Sequence, residues 1–403
     1  MRFDEVFSAV AHKRLSRVDF ADLGSNQHEI NGSAALRELF GTAGRTDGSL
    51  LWSRFADEVE PSSEAQPFTF YDARARSAER TGRSEWRLYY AGDPMAGFRP
   101  GDLLVLAQSA DQIHAMLFGK DSGWERAALA LFPVDGDSLE FESVSAQTLR
   151  DTDLDAAKRA ILEQMGVEYE LPVPEDLTER AVARFGLAYP STKDMGHFAR
   201  ELVGVTTDSA DELLLAWIDT EEQVFRALER PIVGQKLEEG FASVDEFLSF
   251  SLSVQNRRKS RMGHALEHHL AELFDRAELR YEPQVRTEGN RTADFIFPGG
   301  LEYRDPGFPM EQLTVLAAKS TCKDRWPQVL ADADRIPVKH LGTLDAALSG
   351  QQLKDMLSKQ VVPVIPERIR RGYAVLPMSG EILSVGEFLE LVAERAGADR
   401  VTS

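Results

Sequence analysis

Apolar and aromatic positions in the first third of the chain fall in short runs at 50–55, 67–71, 86–90, 103–107 and 113–118, separated by turn-rich pieces such as Arg99-Pro100-Gly101-Asp102. Short runs with frequent breakers predict many short strands, the pattern of a barrel or sandwich. Residues 5–12 and 34–40 have the spacing of short helices beside them. From 136 to 175 the pattern thins to one helical stretch, 154–165, and ends at Leu171-Pro172-Val173-Pro174, where two prolines oppose a continuing helix. Beyond 176 the period changes. Helical spacing is found at 179–185, 194–202, 211–228 and 243–255, the last opened by Ser243-Val-Asp-Glu246, a capping-box pattern. A longer helix is expected at 259–279. Strand-like segments at 285–286, 294–297, 313–318 and 361–365 then alternate with helices at 323–334, 351–358 and 385–395. Such alternation predicts a mixed sheet flanked by helices. The expected organisation is a mainly-β domain over 1–135, an acidic linker over 136–175, and an α/β domain over 176–403.

Composition changes this picture little, but charge adds to it. A hydrophobic share of 43% supports a buried core, and no run approaches the roughly 20 apolar residues of a membrane helix. The first residues carry Asp4 and Glu5 where a signal peptide has positive charge, so a cytoplasmic protein is expected. The single Cys322 excludes an intramolecular disulfide and a multi-cysteine zinc site. The 46 Lys and Arg against 66 Asp and Glu give a net charge of −20, which at first opposes a nucleic-acid partner. The acids are clustered, however, with twelve against three bases between Asp135 and Asp176. Basic runs such as Arg257-Arg258-Lys259-Ser260-Arg261 stand apart from them. Phosphate binding depends on local potential, because exposed charges beyond about 8–10 Å are largely screened.

Three constellations carry candidate chemistry. His264, Glu267 and His268 match HxxEH, in which two histidines one helical turn apart could hold zinc and the glutamate serve as base. That reading gives a zinc metallopeptidase; the alternative is a solvated face of an amphipathic helix. Asp294 opens the apolar run 294–297, and Lys319 closes the run 316–319. A carboxylate on one strand and a lysine at the end of the next is the shape of a PD-(D/E)XK nuclease core. Mg2+ prefers oxygen ligands, usually one or two carboxylates with waters and phosphate oxygens, and activates water for attack on a phosphate. A neighbouring lysine orients that water or offsets the charge that develops. Ala293 and Ala317 stand where that core commonly has proline and a second acid, leaving Asp332 and Glu267 as further carboxylates. The third constellation is Lys323-Asp324-Arg325-Trp326. Lys and Arg can donate to guanine O6 and N7, and Asp can accept from cytosine N4. Trp326 reads as a packing anchor.

Several blocks in order resemble the EcoRII restriction endonuclease family. They are Gly240–Leu248, Ser253–Arg261, Gly263–Glu267, Thr287–Asn290 with Asp294–Pro298, and Ala318–Trp326, covering most of 236–340. More loosely, Leu23-Gly-Ser-Asn-Gln27 followed by 36–40 resembles the family's N-terminal effector-DNA domain, a β pseudobarrel. The resemblance implies a type II, and specifically type IIE, site-specific endonuclease with a restriction-endonuclease-like C-terminal domain. It would cut double-stranded DNA with Mg2+ as a homodimer through that domain, possessing an N-terminal domain that senses a second copy of a CCWGG-like site. It implies Asp294 as metal carboxylate, Lys319 as catalytic lysine, Asp332 as a second metal ligand where the family has glutamate, and Glu267 as a helix carboxylate near the metal. Lys323, Asp324 and Arg325 would read the outer C·G pairs, and Arg258 and Lys259 would touch DNA. Arg80, Arg83 and Arg87 read as a basic patch in the strand region near the expected DNA face, with a solvated surface as the alternative. A cognate methyltransferase encoded nearby is expected, and no membrane partner. The rival reading is a sequence-specific DNA-binding protein with a degenerate nuclease site.

Overall fold

The computed structural model describes residues 1–20, 29–57, 59–75, 83–110, 112–204, 207–322 and 325–397, with the side chain of Lys259 left aside. The chain divides into two units, Met1–Glu170 with Ala346–Ser349, and Leu171–Asp345 with Gly350–Ser403. Among the described residues no helix is long and apolar enough to cross a membrane.

The first unit is built on eight strands: β1 (Ala9–Arg14), β2 (Glu29–Asn31), β3 (Thr46–Ala56), β4 (Val59–Asp72), β5 (Trp86–Tyr90), β6 (Leu103–Ser109), β7 (Gln112–Phe118) and β8 (Glu142–Ser143). Their order is β2-β5-β4-β3-β7-β6-β1-β8. All neighbours are antiparallel except β3 and β7. The sheet has two free ends, so it is a curled, mixed half-barrel, not a closed barrel. Both faces are covered, which is why β6 reads as an unbroken apolar run. Leu103, Val105 and Ala107 enter one cluster with Trp124 and Leu131, while Leu104 and Leu106 enter another with Leu36, Trp52 and Phe70. The first cluster packs under helix α2 (Gly123–Leu131), and the second under α1 (Ala34–Phe40).

Two expectations change here. Residues 5–12 do not form a helix; a single 3-10 turn, Phe3–Glu5, leads into β1. The alternation of Val10 and His12 against Ala11 and Lys13 pairs β1 with β6, and sheet pairing overrides the helical spacing. Nor are residues 136–170 a solvated linker. Helices α3 (Ala146–Asp151) and α4 (Ala156–Gln164) lie within the first unit, and Leu149, Leu154, Ile161, Leu162, Met165 and Val167 are buried in its core. The acids of this segment occupy the outward positions. Asp155 also caps α4 by accepting from the Lys158 amide.

The second unit begins with helices α5 (Glu175–Phe185), α6 (Thr192–Val203), α7 (Ala210–Glu239) and α8 (Val244–Arg276). Leu177, Ala181, Met195, Phe198, Val224, Phe225 and Leu228 join the first three into one cluster. The expected helices at 243–255 and 259–279 are one helix, α8, of 33 residues. Ser243 accepts from the Glu246 amide at 3.1 Å and opens it as expected. The basic stretch between the two expected helices has no Gly or Pro to break it. Arg257 lies over the Tyr189 ring, and Arg258 makes two hydrogen bonds to the buried Glu229 of α7.

The sheet of this unit runs β13-β12-β11-β10-β9, from β9 (Glu282–Arg286), β10 (Thr292–Phe297), β11 (Thr314–Ala318), β12 (Lys339–Gly342) and β13 (Val361–Val364). β9, β10 and β11 are antiparallel, and β11, β12 and β13 parallel. It is the mixed sheet with flanking helices expected of this half. Helix α8 packs on it through Phe274, whose ring centroid is 5.1 Å from Phe295 and 5.0 Å from Phe297. Leu270, one turn earlier, lies over Gly342. A further turn back stands Glu267.

Candidate active site

Asp294 sits in β10, 9% exposed, and its Oδ2 accepts from the Ala318 amide and from Lys319 Nζ, both at 2.8 Å. Lys319 follows the last residue of β11, and its own amide donates to the Gly342 carbonyl at 2.9 Å. Backbone pairing on both sides of β11 therefore places the lysine, and the lysine places the carboxylate. Continuing the register Phe295↔Leu316 by one residue sets Ala317 opposite Asp294. The position that the nuclease pattern fills with a second acid is thus beside the first one, and here it is a buried methyl group.

Two carboxylates from elsewhere face this pair electrostatically. Burial raises Glu267 above the usual carboxylate range; the Asp294 charge adds to this, and Lys319 opposes it. Burial, then the Asp294 charge, pushes Asp332 up to about 6. Asp332 does not lie in a helix spanning 323–334. Among the described residues only one helical turn forms there, α9 (Trp326–Val329), with Pro327 at its start, and Asp332 follows in a turn. Both carbonyls flanking it are held: Arg291 Nη1 donates to Ala331 O at 2.7 Å, and the buried Lys339 Nζ to Ala333 O at 2.6 Å. Ala333 takes φ 52, a left-handed backbone that a non-glycine residue adopts at a cost of about 1–2 kcal/mol, so tertiary contacts enforce this turn. Lys339 and Arg291 are positioning residues that sequence reasoning did not single out. Lys339 is the first residue of β12, a strand that the sequence pattern did not predict, so nothing local marked it.

These residues fit a hard divalent cation. The candidate donors are all carboxylate oxygens; burial and, after it, repulsion from Asp294 raise Glu267 and Asp332, and a positive ion would relieve the repulsion. A test follows from the sign of that shift. An acid whose folded pKa lies above its ordinary value of 3.8 destabilises the fold once pH passes that value, with the cost complete above about 6. Two units correspond to roughly 3 kcal/mol, reduced for partial exposure to about 1–2 kcal/mol. Asp332→Asn should therefore make the metal-free protein about 1–2 kcal/mol more stable at pH 8 and leave it unchanged near pH 4, as read by urea unfolding. Added Mg2+ should narrow the difference at pH 8.

The other expected residues divide. Arg325 is exposed at the start of α9, and the Trp326 ring behind it is buried as an anchor. Lys323, Asp324 and Arg80 lie outside the described residues, as do Leu23–Gln27 and the side chain of Lys259. Arg258 is not a free basic group: its bidentate pair with Glu229 has oxygens at 2.8 and 2.7 Å. Arg83 is exposed, whereas Arg87 is half-buried between Glu29, at 3.6 Å, and Glu85. An arginine held between two glutamates does not make a basic patch. In the HxxEH motif the two rings are 6.4 Å apart, and His268 Nε2 is 3.1 Å from the Thr192 hydroxyl. Among the described residues one His/Cys/Asp/Glu trio brings its ligand atoms within 4.8 Å of one another, and it is not this one.

Residues 225–389 match the family model described as EcoRII C terminal. The type II restriction enzyme EcoRII of Escherichia coli is 37% identical over 229 residues, covering 57% of this chain and 54% of that protein. The chain thus spans about half the length of that relative. Two solved structures of Ecl18kI also match. The metal-depleted protein with uncleaved, modified DNA has a TM-score of 0.46 at 17% identity, over 58% of this chain and 88% of that one. The metal-depleted protein with uncleaved DNA gives 0.46 at 18%, over 57% and 86%. The segment matched by the family model contains Asp294, Lys319, Asp332 and Glu267, the residues gathered above.

Proposed function

We propose that this EcoRII-like chain is a type II restriction endonuclease, hydrolysing phosphodiesters of double-stranded DNA with Mg2+ at the Asp294–Lys319 site. The observation that carries the reading is the 2.8 Å pair between a strand carboxylate and the lysine ending the adjacent strand, inside the matched domain. Asp294 and Asp332 would hold Mg2+, which when bound supplies a Lewis acid and a lowered water pKa. Lys319, paired with Asp294 at 2.8 Å, would donate to the incoming water and offset negative charge growing on the phosphate. Water attacks phosphorus in line with the 3′ oxygen; the P–O3′ bond breaks, and the departing 3′ oxygen takes a proton from solvent water, giving a 3′ hydroxyl and a 5′ phosphate. Glu267 would take the proton released by the water, a role supported by burial and the Asp294 charge, which raise its affinity for protons.

Arg325 supports base reading, because it stands exposed six residues beyond the catalytic lysine. Lys323 and Asp324 are assigned beside it on the resemblance, as is a CCWGG-like site. Arg325→Ala should weaken specific binding by ~1–3 kcal/mol and broaden the sites bound in a gel-shift selection. An unchanged preference would remove it from recognition. The homodimer has its own support in α8, where Val244, Phe247, Leu248 and Leu252 form an exposed stripe at helical spacing. A second copy covering that stripe accounts for its exposure in one chain.

The half-barrel unit is assigned to sensing a second copy of the site, which makes the enzyme type IIE. Cleavage of a plasmid carrying one site, with and without a short duplex carrying another, tests this. Stimulation by the duplex is expected. Full cleavage without it would leave a simple type II enzyme.

A further inference from the structure

The trio whose ligand atoms lie within 4.8 Å of one another is His12, Asp135 and Glu142, in the half-barrel unit. It draws on three segments. His12 is on β1, Glu142 is its directly paired neighbour on the two-residue edge strand β8, and Asp135 is in the connection that follows α2. Paired residues of antiparallel strands put their side chains on one face, with Cβ atoms about 4.5–5.5 Å apart. The next residue after Asp135, Gly136, has φ 72, and a Cβ there would come within 2.6 Å of Leu129, so the connection is fixed against α2.

The histidine supplies an independent sign of a missing partner. It is 4% exposed, and its Nδ1 is buried with no hydrogen-bond partner. A buried ring nitrogen in that condition costs about 1–3 kcal/mol, and natural cores seldom retain one without a ligand, ion or water to satisfy it. The two carboxylates beside it are exposed, and Asp135 Oδ1 accepts from the Asp137 amide at 3.2 Å.

We propose that His12, Asp135 and Glu142 form a binding site for a transition-metal dication of the zinc class. One imidazole and two carboxylates suit a tetrahedral ion completed by water, with metal–ligand distances of about 2.0–2.2 Å. Mg2+, which favours oxygen alone and keeps most of its waters, is a poorer match. Occupied, the site clips the edge strand β8 and the Asp135 connection onto β1. It shares no residue with the Asp294–Lys319 site and stands whether or not that site cuts DNA.

Equilibrium dialysis of the full chain against zinc, followed by metal analysis, tests the site without any cleavage assay. Wild type, Asp294→Asn and His264→Gln should all take up zinc, the last two excluding the nuclease carboxylates and the HxxEH helix as its source. His12→Gln and Glu142→Gln should each lose about one equivalent, or bind it at least ~10-fold more weakly. Because Glu142 is exposed, its variant should keep the far-UV spectrum of the wild type, while the rise in melting temperature on adding zinc disappears. Equal zinc uptake and an equal thermal shift in wild type and Glu142→Gln would overturn the proposal, as would wild type taking up no zinc.

Discussion

Lys319→Ala is expected to lower DNA cleavage by ~10³-fold or more, about 4 kcal/mol of transition-state stabilisation, while specific DNA binding survives. The ammonium does two things that alanine cannot. It lies 2.8 Å from Asp294 Oδ2 in the resting protein, and it is the only cation the site presents directly to that carboxylate among the described residues. Its removal leaves Asp294 buried beside two further acids with no counter-charge. The metal-free variant should therefore also lose stability at pH 8, where unpaired buried carboxylates are costly. Single-turnover cleavage and gel shift on the same duplex separate the two effects. Cleavage within tenfold of wild type would remove Lys319 from the chemistry.

Asp294→Asn is expected to be equally severe, at ~10³-fold, for a different reason: the amide removes the charge that holds the cation. The discriminating readout is metal binding. Mg2+ should raise the melting temperature of Lys319→Ala but not of Asp294→Asn. Without metal, Asp294→Asn should be at least as stable as wild type at pH 8. It keeps an oxygen to accept from the Ala318 amide, and it removes one source of the upward shifts at Glu267 and Asp332. A preserved Mg2+ response in Asp294→Asn would place the metal elsewhere.

What could be read from sequence follows from how local each determinant is. Asp294 and Lys319 were legible because a charged residue at the end of an apolar strand is a local pattern, and the antiparallel pairing of β10 and β11 brings those ends together. The capping box at Ser243 was legible for the same reason. Asp332 was seen, but its setting was misread as helical. Its turn is enforced by Lys339 and Arg291, which act across the fold. The partner of Arg258 is out of local view, since Glu229 is on the preceding helix; for Arg87 one partner, Glu29, is on the neighbouring strand β2, while the other, Glu85, two residues away, is a local signal. The acid-rich stretch after Asp135 reads as a linker from its charge, its single helical stretch and its closing prolines. The buried positions at 149, 154, 161, 162 and 165 decided its fate, since a few well-spaced apolar residues outweigh many solvated acids. The half-barrel's open edges depend on strand order, which no local pattern encodes.

The central claim is that this chain cuts DNA with a divalent metal at a defined sequence. Purified protein should be incubated with unmethylated multi-site plasmid in Mg2+ and in EDTA, and the ends of any fragments sequenced. Discrete fragments in Mg2+ alone, all ending at one sequence and carrying 5′ phosphates, are the predicted result. Intact plasmid under both conditions, persisting when short duplexes carrying the site are added and accompanied by a sequence-specific gel shift, would contradict it and leave a protein that binds DNA without cutting.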